Sequence, residues 1–402
     1  MFTIKFCEEP GSQITQISRR NKTDKKIEVY SVTNSEGFTR SVDYFCKEVF
    51  SKDTSNYKVV HKGEFAYNPS RINVGSIDYL SNADKALVSP LYIVFASKET
   101  LLPGYLLRFL KSDWGNIQIR SHTEGAVRDS LKYKGLEAIT IPLPQLDDQI
   151  RIATLLSKVE NLISRRREQL KQLDELLKSV FLDMFGDPVR NEKGWDILPF
   201  HKVGHFVSGG TPSKKRADFW SGNFPWVSPK DMKVSKIKDA EDHIAESVFE
   251  ETTLKRISLN HLLIVVRGMI LLHSFPVAIN TVEIAINQDM KAIKPINRLN
   301  VVYLQYCVIA SKRKILKLIT TAGHGTRKFD YNAMQKLYIP MPPIDRQNQF
   351  ADISEMVEVI KLRYQQSLTE LENLYGTLSQ KAFKGELDLS RVLQVKEVEP
   401  AI

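Results

Sequence analysis

The chain has 402 residues, enough for two or three domains that each bury a core. Lys and Arg number 57 against 47 Asp and Glu, and the formal net charge of +10 favours a polyanionic partner. The three cysteines lie too far apart for a disulfide framework or a zinc pattern, and the polar amino terminus has no signal-peptide pattern, so we expect a cytoplasmic protein. Charged residues and a proline interrupt the most apolar stretch, residues 262–279, which therefore predicts buried strands with a turn rather than a membrane span.

The first 140 residues predict a globular domain of mixed strands and helices. Alternating apolar residues at 27–33 and a short apolar run at 91–95 are typical of strands, and residues 101–111 have a helical pattern. Strands and helices do not alternate regularly, so a doubly wound sheet is not expected. Arg71 lies in a predicted loop, and a polar loop around Arg128 ends the segment.

One long helix is predicted over residues 141–187. Two prolines prevent an earlier start, and Asp147 and Asp148 suit its amino-terminal cap. Ten residues then step by four and three as a heptad seam: Ile152, Leu156, Val159, Ile163, Arg166, Leu170, Leu173, Leu177, Val180 and Met184. A helix of about 38 residues is about 57 Å long, more than a compact domain needs, so the seam requires a partner helix.

The rest of the chain repeats this order, with a second globular segment over residues 188–338, a second long helix over 339–387 and a short polar tail over 388–402. In the second globular segment, residues 263–266 and 269–272 predict strands and residues 301–319 predict a helix. Equivalent Ile-Pro-x-Pro runs begin at Ile141 and Ile339, and 339 − 141 = 198. The same offset pairs Tyr105 with Tyr303, Tyr133 with Tyr331, Gln149 with Gln347, Leu170 with Leu368 and Leu173 with Leu371. Several identities at one offset indicate a tandem duplication rather than two unrelated helices with chance proline starts.

Basic loops in both globular segments are candidate nucleic-acid contacts. Seven cations lie between Lys214 and Lys238 against two aspartates, beside aromatic residues and a Gly-Gly-Thr loop, which is typical of a phosphate-binding surface. The alternative is a solvated basic face over an aromatic core. Arg71 and Arg267 each suit a bidentate guanine contact or, taken singly, a surface salt bridge. The candidates are Arg71, Arg128, Lys132, Ser208, Gly209, Gly210, Thr211, Lys214, Lys215, Arg216, Lys230, Arg267, His324, Arg327 and Lys328.

The sequence lacks the usual catalytic motifs. It contains no phosphate-binding Gly-x-x-x-x-Gly-Lys-Ser/Thr loop, no Asn-Pro-Pro-Tyr motif of an adenine methyltransferase, and no His-Glu-x-x-His or Cys-x-x-Cys metal pattern. The eight histidines are scattered, and none accompanies a nucleophile in a recognisable motif. These absences favour a reader and scaffold over a self-sufficient nuclease or methyltransferase.

Over nearly its whole length the chain resembles the specificity subunit of type I restriction–modification enzymes. The resemblance is carried by Ile141 to Pro144 with Asp148, Gln149 and Ile152, by Met184 to Asp187, by Pro340 to Gln347, and by Ala382 to Leu387. The sequence departs from the family pattern at Asp148 and Arg346, where the family usually carries Glu, and nothing before Gln13 matches the Gly194-Trp195 pair of the second copy.

The resemblance implies a mixed α/β (α+β) fold in which two α/β target-recognition domains are joined by two long antiparallel helices with an internal pseudo-twofold. It implies a non-catalytic chain that reads double-stranded DNA and holds two modification methyltransferase subunits, with restriction subunits added to the assembly. S-adenosylmethionine, ATP and Mg are then expected on those partners, and no cofactor or metal on this chain. The alternative class is a duplicated coiled-coil scaffold whose globular segments bind protein.

Two further expectations follow from the repeat. The globular segments share few residues, so the recognised site should be bipartite and asymmetric, with an unread spacer of about half a DNA turn to a turn. Apolar residues outside the seam need cover beyond the second helix and are candidate subunit contacts: Leu155, Leu162, Leu176, Phe181 and Phe185.

Overall fold

A computed structural model describes residues 13–22, 27–45, 50–51, 53–124, 129–321, 325–390 and 392. The chain forms two compact units. Unit 1 contains Met1–Arg167 and Gln366–Ile402, and unit 2 contains Glu168–Gln365. The division falls inside both long helices, so each unit combines one globular segment with one half of each helix.

Unit 1 is a mixed α/β globule built on short antiparallel strands. Its strands are Ile14–Ile17 (β1), Tyr30–Thr33 (β2), Gly37–Arg40 (β3), Lys58–His61 (β4), Phe65–Tyr67 (β5), Ile77–Tyr79 (β6), Lys85–Val88 (β7) and Ile93–Ser97 (β8). Its short helices are Ser41–Phe45 (α1), Pro103–Lys111 (α2), Asp113–Ser121 (α3) and Tyr133–Glu137 (α4), with a 3-10 turn at Ile72–Val74. One sheet has the order β1-β8-β5-β6, and β2-β3 and β4-β7 form two-stranded ribbons. The predicted strands near 27–33 and 91–95 and the predicted helix at 101–111 are confirmed.

The first long helix, Leu146–Phe185 (α5), has 40 residues and lies within the predicted segment 141–187. It begins after Pro142 and Pro144, because a proline disfavours helical backbone in the residue before it. All ten seam residues are buried or half-buried, which confirms the heptad pattern. Leu156 and Leu177 are the most completely buried of them.

Unit 2 has a larger sheet. Its strands are Ile197–Pro199 (β9), Gly204–Ser208 (β10), Phe224–Val227 (β11), Lys236–Ile237 (β12), Asp242–Ile244 (β13), Leu262–Val265 (β14), Val277–Asn280 (β15), Ala285–Ile286 (β16), Met290–Pro295 (β17), Thr320–Thr321 (β18), Arg327–Lys328 (β19) and Tyr338–Pro340 (β20). The helices are Val248–Glu251 (α6), Val301–Ala310 (α7), Lys312–Leu318 (α8) and Tyr331–Gln335 (α9), with 3-10 turns at Phe200–Lys202, Ala217–Trp220 and Met269–Leu272. The main sheet has the order β10-β17-β14-β15-β12.

Two local predictions for unit 2 are wrong. Residues 269–272 form a 3-10 turn instead of a strand, since Gly268 with φ of 130° turns the chain out of the sheet. The helix predicted over 301–319 is two helices, α7 and α8, separated at Ser311. The interruption falls where the apolar run of α7 gives way to the basic Lys312–Leu318 segment.

The second long helix, Ile344–Lys384 (α10), has 41 residues and pairs with α5 within each unit. In unit 1 the Tyr375 hydroxyl donates to Glu160 at 2.7 Å, and Arg167 pairs with Glu372 at 2.6 Å. In unit 2 the Lys361 ammonium lies 2.8 Å from Asp174. The residue number on α10 falls as the number on α5 rises, so the paired halves run antiparallel. No described helix is both long enough and apolar enough to cross a membrane.

The residues shared at the 198-residue offset build the same joint in both units. The buried Gln149 side chain accepts from the Leu102 amide at 2.8 Å and donates to the carbonyl oxygens of Thr100 and Pro144, both at 2.9 Å. Gln347 does the same with Asn300, Arg298 and Pro342, at 2.9, 3.1 and 2.8 Å. Tyr105 and Tyr303 likewise donate to the carbonyl oxygens of Pro142 and Pro340, at 2.8 and 2.9 Å. The repeated residues therefore fix each globule to the start of its long helix.

Phe181 and Phe185 belong to the core of unit 2. The Phe185 ring packs edge-on against Tyr303 at 4.7 Å between centroids, and the Phe181 ring packs against Phe350 at 5.4 Å. Both phenylalanines are almost fully buried. The prediction that these two residues contact another subunit is therefore wrong, because this chain itself covers them.

Candidate nucleic-acid interface

The structure brings Arg267 of unit 2 next to Arg327 and Lys328, a consecutive pair that lies far from it in the sequence. After β14 the chain turns at Gly268, whose amide donates to the carbonyl oxygen of Arg327 at 3.1 Å. Arg267 forms a backbone bridge with Lys328 in antiparallel register. The turn-borne arginine and the loop that precedes α9 were predicted as separate phosphate or base contacts, and they form one surface.

The charge of this surface is only partly neutralised. The side chains of Arg267 and Lys328 have no hydrogen bond or ion pair within the ranges that the structure describes, and Arg327 donates from Nη1 to the Thr321 hydroxyl at 2.6 Å. The adjacent Asp330 carboxylate is used as the cap of α9, where it accepts from the Ala333 amide at 2.9 Å. The surface therefore offers cationic donors to an anion from solution.

Unit 1 has the equivalent turn. There the Leu131 amide donates to the Pro69 carbonyl at 3.0 Å, and the Tyr67 hydroxyl donates to the Leu131 carbonyl at 3.1 Å. These bonds bring the segment carrying Lys132 to the turn that carries Arg71. Lys132 pairs with Glu124 at 2.9 Å, and both side chains are exposed.

Arg71 borders a polar pocket of about 350 Å³, whose wall includes Asn34, Asn68 and Tyr92. Burial raises the pKa of Tyr92, although the Val32 amide that donates to its hydroxyl and the positive charge of Arg71 act in the opposite direction. Tyr92 is therefore a neutral hydroxyl near neutral pH. Amide, hydroxyl and guanidinium groups around one pocket supply both donors and acceptors, as base-edge recognition requires.

The Gly-Gly-Thr loop has a structural explanation that the sequence did not provide. A Cβ at Gly209 would overlap the carbonyl oxygens of Ile286 and Asn287, so glycine lets this loop approach β16. The Gly210 amide donates to Ile286 at 2.9 Å, and its carbonyl accepts from the Trp226 indole at 3.0 Å. Ser208 accepts from Lys291 at 2.9 Å, and Thr211 donates to Gln288. The loop is therefore held in place by its own unit.

Two cations of the Lys214–Lys238 cluster are already paired. Arg216 donates to Asp218 at 2.6 and 2.9 Å and to Glu251 at 3.1 Å, and its guanidinium lies 4.1 Å from the centre of the Phe219 ring. The hydrogen bond to Asp218, followed by that to Glu251, raises the pKa of Arg216. Lys230 pairs with Asp242 at 3.0 Å and Glu241 at 3.1 Å. The net charge of the cluster is less positive than predicted, because Glu241, Asp242 and Glu251, which lie outside residues 214–238 in the sequence, pair with its cations in the fold.

The remaining candidates differ in position. Lys214 and Lys215 are exposed, while Arg128 and His324 lie outside the described residues. On α5, Leu155 is half-buried, and Leu162 and Leu176 are each 49% exposed. In the described ranges no group of three or more His, Cys, Asp or Glu side chains could hold a metal ion.

Sequence reasoning missed the exposed side chains of Met269, Ile270 and Leu272 beside the Arg267 turn. A continuous apolar run favours buried strands, and nothing in its composition distinguishes a strand from a 3-10 turn. The Arg267-Gly268 pair was the one available signal, since glycine before an apolar run indicates a change of backbone direction.

The fold and the two basic turns define a duplicated α/β protein with a candidate binding surface on each unit. The family described as the type I restriction modification DNA specificity domain matches residues 12–173 and again 192–373, and the chain belongs to this family. The two matches confirm the tandem duplication and the two recognition regions.

A curated relative is similar to the chain in sequence, and two solved structures are similar to it in fold. The chain is 28% identical over 227 residues to the EcoR124I/EcoR124II specificity subunit of Escherichia coli, in an alignment covering 55% of this chain and 56% of the relative, so the match spans about half of that protein. A chain solved for "Structural basis underlying complex assembly and conformational transition of the type I R-M system" is 19% identical, with a TM-score of 0.57 over 96% of this chain and all 100% of that one. The S subunit of a type I restriction–modification system from M. genitalium is 12% identical, with a TM-score of 0.57 over 94% of this chain and 96% of that one. At these identities the solved structures show the fold.

Proposed function

We propose that this chain is the DNA-recognition subunit of a type I restriction–modification system, reading a bipartite, asymmetric site in double-stranded DNA. One observation carries the proposal: backbone hydrogen bonds hold equivalent turns in the two units, and these turns carry different side chains. Unit 1 offers Arg71 beside a polar pocket, and unit 2 offers Arg267 beside Arg327 and Lys328. Different surfaces held by the same scaffold are suited to reading different half-sites.

Within this proposal, residues 1–140 and 188–338 are the two target-recognition domains. Arg327 and Lys328 contact phosphate, since they extend along one short strand next to the turn. Arg71 and Arg267 contact base edges, because arginine presents two parallel donors that match guanine in the major groove. Lys132, Lys214 and Lys215 add to the electrostatic attraction for the duplex.

The long helices are the proposed attachment site for two modification methyltransferase subunits, with restriction subunits joining the assembly. Leu162 and Leu176 support this, since each exposes an apolar side chain outside the seam. The proposal places S-adenosylmethionine, ATP and Mg on those partners and the assembly in the cytoplasm. This chain would contribute sequence choice and no catalytic step.

Selection from a random duplex library tests the proposal. Full-length chain, alone and with its methyltransferase partner, is incubated with the library, and the retained duplexes are sequenced. We expect two unlike half-sites separated by a spacer of unread sequence, and retention that falls steeply with salt. A continuous or palindromic motif would contradict the bipartite reading. No enrichment, together with salt-insensitive capture of protein partners, would favour the protein-binding scaffold instead.

A further inference from the structure

The 3-10 turn Met269–Leu272 forms an apolar tip beside the basic surface of unit 2. Met269, Ile270 and Leu272 are 62%, 40% and 42% exposed, whereas Leu271 is buried. Three exposed apolar side chains in four consecutive residues are unusual on a surface loop, because their hydration is unfavourable. The tip therefore indicates a surface that becomes covered on binding.

The tip is held in place from both ends. Gly268 supplies the φ of 130° at its start, the Leu271 amide donates back to the Gly268 carbonyl at 3.2 Å, and the Ser274 amide donates to Ile270 at 2.9 Å. Behind it, Phe275 packs against Phe329 at 5.1 Å between ring centroids. A segment that is already ordered loses little conformational entropy when it binds.

The charges around the tip identify the class of partner. Arg267 lies just before the tip, and the strand carrying Arg327 and Lys328 is bonded to Gly268, the residue that directly precedes Met269. The nearby Asp289 contacts this turn through its backbone carbonyl, which accepts from the Val266 and Arg267 amides at 2.8 and 3.2 Å. Exposed apolar side chains flanked by cations complement a ligand with an anionic outside and flat apolar faces inside. Duplex DNA has this arrangement, with phosphates flanking stacked bases.

We propose that the apolar tip is a wedge that enters a base step of the half-site read by unit 2 and unstacks it. This inference rests on the proposed DNA-reading function and adds that reading requires local deformation of the duplex. Insertion of apolar side chains between base steps partly unstacks them, and the contacts that the deformed duplex makes with the protein offset that cost. In the equivalent turn of unit 1 one apolar side chain is exposed, that of Val74 at 59%, and Ile72 is buried. The wedge acts in one half-site only.

Permanganate footprinting measures the deformation, because permanganate oxidises unstacked thymines faster than stacked ones. The probe is the pool of duplexes selected from the random library, bound to full-length chain without added methyltransferase. Wild type is compared with the triple variant Met269→Ser, Ile270→Ser, Leu272→Ser. The matched control is Leu259→Ser, a residue 46% exposed at the other end of β14. A second variant, Met269→Leu, keeps the apolar character of the tip.

We expect enhanced oxidation at one step of one half-site with wild type, Leu259→Ser and Met269→Leu, and its loss with the triple variant at saturating protein. Uniform reactivity with wild type would overturn the wedge, while the selected half-sites would still support DNA recognition. Enhancement that persists in the triple variant would also overturn it. If no duplex is selected, the proposed function and the wedge both fail. If the triple variant leaves the footprint intact but loses a protein subunit in size exclusion, the tip is a protein-docking surface and the wedge is overturned.

Discussion

The Gly268 amide donates to the carbonyl oxygen of Arg327, and this 3.1 Å bond joins the turn after β14 to the loop before α9. The bond depends on the backbone conformation of Gly268, whose φ of 130° is accessible to glycine and strained for other residues. Gly268 therefore helps to hold Arg267 beside Arg327 and Lys328, together with the Phe329 amide, which donates to the Val266 carbonyl at 2.9 Å.

Gly268→Ala should destabilise the full-length chain by about 1–3 kcal/mol, because alanine must adopt strained backbone or break the bond to Arg327. Denaturant unfolding measures the change, and DNA affinity should fall in parallel. Gly376→Ala is the matched control, since Gly376 lies within α10 with open space where the alanine Cβ would stand, and the substitution should stabilise by about 0.5–1 kcal/mol. Equal effects of the two substitutions would show that the turn is not strained by a side chain.

Arg327→Ala and Lys328→Ala should each weaken binding to cognate and non-cognate duplexes about equally and reduce the salt slope by about one, as loss of a phosphate contact does. Fluorescence anisotropy across a salt series gives both quantities. The control is Arg190→Ala, an exposed arginine of unit 2 with Asp187 and Glu192 as partners, which should leave the slope unchanged. A changed sequence preference with an unchanged slope would reassign these residues to base reading.

Gln149→Ala should strongly destabilise unit 1, since it leaves the Leu102 amide and the carbonyl oxygens of Thr100 and Pro144 without their partner. Each buried polar group left unsatisfied costs about 1–3 kcal/mol. Gln380→Ala removes an exposed glutamine of the same unit and should be close to neutral. Denaturant unfolding compares them, and a neutral Gln149→Ala would show that the repeated joint does not hold the globule to its helix.

The repeat and the seam could be predicted because both depend on residues near each other in the sequence or on one fixed offset. The heptad positions from Ile152 to Met184 point inward as their spacing requires. The errors concern contacts that arise only in three dimensions. Arg216 finds Glu251 through the fold, and the rings of Tyr303 and Phe350 cover Phe181 and Phe185. No periodicity within α5 distinguishes cover supplied by a distant segment from cover supplied by a second protein.

His261 provides a pH-dependent test of the unit 2 core. Burial is the main cause that lowers the pKa of His261, and its Nδ1 lies 2.8 Å from the Ser258 carbonyl. The folded chain holds the His261 imidazole neutral, and its pKa lies below the ordinary value of about 6.5. The contribution of the buried neutral imidazole to the free energy of unfolding is therefore fully present above about pH 6.5 and is lost as pH falls through the folded pKa. Unfolding free energies at a series of pH values should decline more steeply below about 6.5 for wild type than for His261→Gln. Parallel curves would mean that His261 titrates alike in the folded and unfolded chain.

The exposed leucines of α5 lead to a prediction about assembly. Leu162 and Leu176 each expose 49% of their surface outside the antiparallel seam, so aspartate at these positions meets water and leaves the pairing with α10 intact. Leu162→Asp with Leu176→Asp should therefore preserve the circular dichroism spectrum and the melting temperature but abolish co-elution with a co-expressed methyltransferase subunit. A buried charge at an apolar interface has no counterion to offset its desolvation. Leu259→Asp, with a similar 46% exposure away from the helices, is the matched control and should retain the complex. Recovery of intact complex from the double variant, or equal loss from the control, would show that the methyltransferase binds elsewhere.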